Sequence, residues 1–144
     1  MDVRRAAAAG AIGTGVMTGL LLVEPSVGLP QIAIGQILST SLGLASAHLP
    51  FGPAIGWIIH LLVGIVLALI YAGFLIGRLP GGALARGALY GLLVFVVAQL
   101  VFMPLVGGGL FSNGEWQMLA GSLFGHLVFG GVMGWIYGDP AHAT

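Results

Sequence analysis

Two histidines stand alone inside long apolar runs. His60 lies in GWIIHLLVGIVLALIYA, residues 56–72, and His126 in GSLFGHLVFGGVMGWIYG, residues 121–138. Imidazole changes charge near neutral pH and is the commonest metal ligand, so in such a setting it acts as a ligand, a proton carrier or a polar contact between helices. Residues four apart share a helix face. On that rule Gly56, His60, Gly64 and Ala68 form one face, and Ser122, His126, Gly130 and Gly134 form another. Each reads small residue or histidine throughout, a surface that lets a neighbouring backbone or a flat ligand approach closely.

Several chemistries suit this pair. A b-type haem ligated by His60 and His126 needs one imidazole from each of two facing helices at one depth. Gly56, Gly64, Ser122 and Gly130 would leave room beside them for the macrocycle. That reading lacks a propionate partner, because the arginines belong to the opposite face. A metal ion on His60 and His126 would recruit Glu24 or Glu115 as a further ligand. A channel or carrier for protons, ions or small molecules would use the same histidines with Gln99, Thr14 and Thr18. The reading adopted first needs no ligand: a non-enzymatic structural or accessory subunit, packed through small-residue faces, in which each histidine bonds a carbonyl, a Gln or a Thr. Polar contacts of that kind average about 0.6 kcal/mol in a membrane.

Other chemistries find no residues. The chain has no cysteine, which excludes disulfides, thiolate metal sites and cysteine nucleophiles. No Ser, His and Asp can meet at one depth, and no two carboxylates are close in sequence, so hydrolase and glycosidase chemistry is not expected. The glycines at 107–109 with Asn113 and Gly114 lack the preceding strand and following lysine of a phosphate loop. His48 sits in a segment between helices and His142 in a polar tail, where solvated roles are expected.

The elements that carry the histidines follow from composition. Of 144 residues 58% are hydrophobic and only 6% charged, with four Lys plus Arg against four Asp plus Glu. Mean hydropathy is +1.10. So few charges cannot solvate a surface, so the lipid bilayer is the expected solvent; with net charge zero, nucleic acid is no expected partner. A helix needs about 20 apolar residues to cross about 30 Å of hydrocarbon. Four segments qualify, at approximately 6–23, 54–76, 85–103 and 118–137, bounded by Pro25 and Pro30, Pro50 and Pro53, Pro80 with Gly81 and Gly82, Pro104 and Pro140. The expected fold is all-α: a single transmembrane domain, 1–144, forming an integral membrane four-helix bundle. MDVRR and the run after it are read as a retained first helix rather than a cleaved signal.

Arg4, Arg5, Arg78 and Arg86 all precede span one or separate spans two and three. The positive-inside rule then places both termini in the cytoplasm. Trp57 and Trp116 fall near the outer boundary, and Tyr71, Trp135 and Tyr137 near the inner one. Aligning His60 with His126 also pairs Leu61 with Leu127, Gly64 with Gly130, Val66 with Val132, Ile70 with Ile136 and Tyr71 with Tyr137. Two parallel-repeated helical hairpins are expected, with an extra outer-side segment, residues 28–52, between helices 1 and 2. Its amphipathic centre, 32–44, is predicted as a short helix at the outer interface. Parallel copies put both histidines about 9 to 12 Å below that boundary. Spans two and four are expected to pack together, so that the imidazoles face one another or one cavity. Small loops and apolar surfaces predict a homo-oligomer or a larger membrane complex.

The blocks GLPQIAIGQILSTSLG, RGALYGLLVFVVAQLVFMPLVGGGLFS and the two paired H-x-x-x-G runs resemble a family of small bacterial inner-membrane proteins of unknown function, over nearly the whole chain. The resemblance implies a four-helix protein of the bacterial inner membrane. It implies no activity and no catalytic residue.

Overall fold

The computed structural model describes residues 1–43 and 51–138. His48 and His142 lie outside them, as do Pro50 and Pro140. All regular structure among the described residues is helical: α1 Val3–Val23, α2 Ile34–Ser41, α3 Gly52–Ile70, α4 Ala83–Val97, α5 Met103–Leu105 and α6 Trp116–Tyr137. With their continuations, four stretches are long and apolar enough to cross a membrane, as a multi-pass membrane protein requires: Val3–Val27, Gly52–Leu75, Ala83–Leu105 and Trp116–Tyr137. Their ends differ from the expected 6–23, 54–76, 85–103 and 118–137 by at most four residues. Ile58, Leu62 and Val66 on α3, with Leu93 and Val97 on α4 and Leu100 just beyond it, remain exposed. Such a surface is stable where hydrocarbon is the solvent.

Local chemistry sets the ends. The Asp2 carboxylate accepts the Arg5 backbone N–H at 3.0 Å and caps α1. At the other end α1 tightens into a 3-10 turn, Glu24–Val27, with Pro25 in its first turn, and stops at Gly28, whose φ of 83° suits only glycine without strain. α3 and α4 each end in a π-helical turn, Tyr71–Leu75 and Ala98–Phe102. The second lies just before Pro104, which can neither donate to the Leu100 carbonyl nor fit against it.

The helices pack in the spatial order α3, α1, α6, α4, with α2 lying on α3. This corrects the expected pairing of spans two and four, because α1 intervenes between α3 and α6. The reason lies in which backbones fill the small-residue faces. On α1, a Cβ at Gly10 would stand 2.7 Å from the Ala68 Cβ and 2.7 Å from the Gly64 carbonyl oxygen. Gly13 would meet the Phe129 carbonyl oxygen of α6 at 2.9 Å, and Gly134 would meet Gly87 Cα of α4 at 2.6 Å. Each crossing is thus backbone against backbone, the close approach that favours helix association in lipid.

Toward the end of the bundle that carries the arginines, the interior is closed by aromatic rings. Tyr71, Tyr90, Met133 and Tyr137 are buried, and the Tyr71 ring stands 5.3 Å from Tyr90 and 6.4 Å from Tyr137 between centroids. The Tyr90 hydroxyl donates to the Leu67 carbonyl at 2.8 Å. Tyr71 and Tyr137 are thus buried between the helices, while Trp135 of the same expected group is 69% exposed. A tyrosine between helices gains ring packing and can still satisfy its hydroxyl from a neighbouring backbone.

Candidate functional site

Beyond the tyrosines, toward the end where α2 lies, the bundle opens into a cavity of about 280 Å³. Both histidines line it, from different helices. α1 forms the back wall with Thr14, Met17 and Leu21, α2 contributes Ile34, Ile37 and Leu38, and α6 supplies Ser122, His126 and Phe129. The side walls are α3, through His60, Val63 and Leu67, and α4 with its π turn, through Val94, Val97 and Gln99. α3 and α4 are joined by a short turn but are not packed extensively on each other. Val63 on one lip and Val97 on the other are 45% and 59% exposed, so the gap between them faces sideways out of the bundle.

Apart from Thr14 and His60, the polar groups of the walls form one strip. Ser112 donates to Gln99 Oε1 at 3.0 Å, and Gln99 Nε2 donates to Ser122 Oγ at 3.1 Å. His126 Nδ1 then donates to the Ser122 carbonyl oxygen at 2.7 Å, a bond one helical turn long. A carbonyl can only accept, so this bond puts the proton of neutral His126 on Nδ1 and its lone pair on Nε2. The Phe95 ring stands edge-on to His126 at 6.0 Å and holds its plane. His60 is steadied by Trp57, centroids 6.1 Å apart, and its Nε2 is buried without a hydrogen-bond partner. A buried nitrogen left unpaired is costly in free energy, and needs a reason.

The strip depends on an unusual turn. Phe111, Ser112 and Asn113 are three successive non-glycine residues with positive φ, 46°, 50° and 54°. A left-handed residue costs about 1–2 kcal/mol relative to the right-handed form. Here the turn delivers the Ser112 hydroxyl to Gln99, which is 1% exposed and would otherwise bury its amide oxygen without a donor. Of these partners the sequence marks Gln99 as an amide within an apolar span. Ser112 carries no comparable signal, because no periodicity reports a left-handed turn.

The remaining site candidates divide. His60, His126 and Ser122 come together at the cavity. Gly56 instead lies against the Gly35 carbonyl of α2, and Gly130 against the Gly87 carbonyl of α4. Gly64 borders the cavity, but a Cβ there would overlap the Thr14 hydroxyl of α1. The space expected for a flat ligand beside these glycines is filled by helix backbone and side chain. Glu24 is buried at 5% exposure, both carboxyl oxygens unpartnered, and a Cβ at Gly121 would meet them at 3.0 Å. Glu115 is exposed at the start of α6. Among the described residues no three His, Cys, Asp or Glu side chains stand close enough to hold a metal ion.

The chain belongs to DUF6789, a family of unknown function, whose pattern it matches over residues 1–143. Comparison with curated proteins and with solved structures returns no match.

Proposed function

We propose that this family member is a small, single-domain, multi-pass protein of a bacterial inner membrane, a non-enzymatic accessory subunit whose working part is the cavity shared by His60 and His126. One observation carries this reading: two imidazoles from separate helices open onto one apolar cavity while the small-residue faces around them are occupied in helix crossings. The faces account for the structural role; the cavity is left over for binding. Both termini are assigned to the cytoplasm by the positions of the four arginines. The two hairpins are read as parallel repeats, consistent with α3 lying on α1 and α6 on α4. With so little chain outside the helices, assembly with copies of itself or into a larger membrane complex would run through the exposed apolar faces.

A b-type haem held by His60 and His126 is the second reading, and one feature favours it. An axial histidine ligates through one nitrogen while the other donates to a carbonyl or carboxylate, which is the arrangement of His126. The rest of the site fits poorly. Gly35, Thr14 and Gly87 lie where a macrocycle would rest on Gly56, Gly64 and Gly130. The cavity also has less than twice the roughly 150 Å³ that accommodates benzene.

Purification in mild detergent from haem-replete cells separates the readings. The binding role predicts a colourless protein from which organic extraction and mass spectrometry recover a small molecule in near one-to-one ratio, lost in His126→Ala. A Soret band with reducible α and β bands, removed by His60→Ala or His126→Ala, would establish haem instead. A colourless protein with nothing bound and both alanine variants unchanged in stability would leave the histidines as packing alone. Proton or ion flux in liposomes that disappears with either histidine would point to a channel or carrier.

A further inference from the structure

We infer that the cavity takes the head of a lipid-soluble phenol or hydroquinone, whose hydroxyl donates to His126 Nε2 and whose tail leaves between α3 and α4 into the bilayer. The inference rests on the binding role proposed above and names its ligand class.

Three features select that class. The first is polarity. His126 donates through Nδ1 to the Ser122 carbonyl, so its other nitrogen is an acceptor. Gln99 Oε1 is taken by Ser112, Gln99 Nε2 reaches Ser122 and the Thr14 hydroxyl donates to the Gly10 carbonyl, so His126 Nε2 is the acceptor this wall offers a ligand. A head group must therefore supply a hydrogen-bond donor to His126. No carboxylate or arginine lines the cavity, so the head is neutral.

The second is size. About 280 Å³ is nearly twice a cavity that holds benzene, enough for one substituted ring and a short length of chain. The wall residues Met17, Leu38, Leu67, Val94 and Phe129 offer an apolar surface for that ring. The third is access. The Val63 and Val97 lips open the cavity sideways at a level where the neighbouring helix faces are exposed and apolar. A ligand entering there comes from the acyl chains, and its tail can stay among them without crossing the bundle.

The test uses the full chain in phosphatidylcholine nanodiscs, with Trp116→Phe and Trp135→Phe so that Trp57 is the sole reporter. Decyl hydroquinone is titrated against its dimethyl ether, which has the same ring and tail but no donor. Saturable quenching by the hydroquinone is expected, with the ether bound about ten-fold more weakly, the loss for one hydrogen bond left unmade in a dry site. His126→Phe, checked for folding by its melting curve, should remove the saturable phase. Val63→Phe with Val97→Phe, which narrow the gap between α3 and α4, should slow association at least five-fold. Equal binding of the ether, or binding that survives in a folded His126→Phe, overturns the inference and leaves the binding role standing. Recovery of a bound molecule without a phenolic hydroxyl does the same. Failure of both probes together with an empty organic extract overturns the two readings at once.

Discussion

Replacing Gly134 by alanine isolates the contact that holds α6 to α4. Its Cβ would stand 2.5 Å from the Ala83 carbonyl oxygen and 2.6 Å from Gly87 Cα, where ordinary contact begins at 3.4 Å. The shortfall is about 0.8 Å, and both obstacles are backbone, so no side chain can rotate away. The helices must separate by a comparable distance. A gap of 0.5–1 Å forfeits roughly a quarter to a half of each atom–atom attraction, itself about 0.1–0.2 kcal/mol. Summed over on the order of thirty pairs along the crossing, this gives about 1–3 kcal/mol, the usual range for overpacking. Alanine also gains about 0.5–1 kcal/mol of helix propensity over glycine. The net expectation is a loss of about 1–2 kcal/mol. Gly15→Ala provides the control, because nothing lies within 4 Å of its Cβ and only the propensity gain remains. The two variants, identical in chemistry, should move stability in opposite directions and differ by about 2–3 kcal/mol. Equilibrium unfolding in mixed micelles of dodecyl maltoside and sodium dodecyl sulfate measures both. Equal effects at Gly134 and Gly15 would refute the close α4–α6 crossing and the helix order built on it.

Three further outcomes are expected. Gly64→Ala should destabilise the α1–α3 crossing by about 1–3 kcal/mol, and adding Thr14→Ala should restore most of it, since the obstacle is the Thr14 hydroxyl with its Cβ only 3.0 Å away; a double variant no better than Gly64→Ala would place the conflict elsewhere. Ser112→Ala leaves Gln99 Oε1 without its donor at a buried site, so a loss of about 1–3 kcal/mol should appear in the same unfolding assay, with no loss meaning that the amide has another partner. Glu24→Met removes a buried carboxyl without hydrogen-bond partners and should raise stability by about 1–3 kcal/mol; a fall would show that the carboxyl is engaged by an ion or a neighbouring chain.

Much of the site was readable in the linear chain, though not its partners. His60 and His126 drew notice because an ionisable ring is expensive in an apolar helix, and both do line one cavity. Their glycine faces were equally visible, but which helix fills them was not. A stripe of small residues accepts any backbone of complementary shape, so Gly64 and Ala68 could receive α6 or α1 with no difference in the pattern. Gly35 and Gly56 show the same ambiguity: the short helix expected within 32–44 is present as α2, Ile34–Ser41, but that it packs on α3 through this glycine pair is not written in its pattern.

Hydropathy, proline position and the near absence of charge determined the four helices, because the hydrocarbon thickness sets a length and an internally bonded backbone leaves little other choice. Tertiary structure alone decided that α1 separates α3 from α6, that Tyr71, Tyr90 and Tyr137 meet in the core, and that Ser112 reaches Gln99 through a left-handed turn. Those outcomes depend on three-dimensional complementarity between surfaces distant in sequence, which no periodicity along the chain encodes.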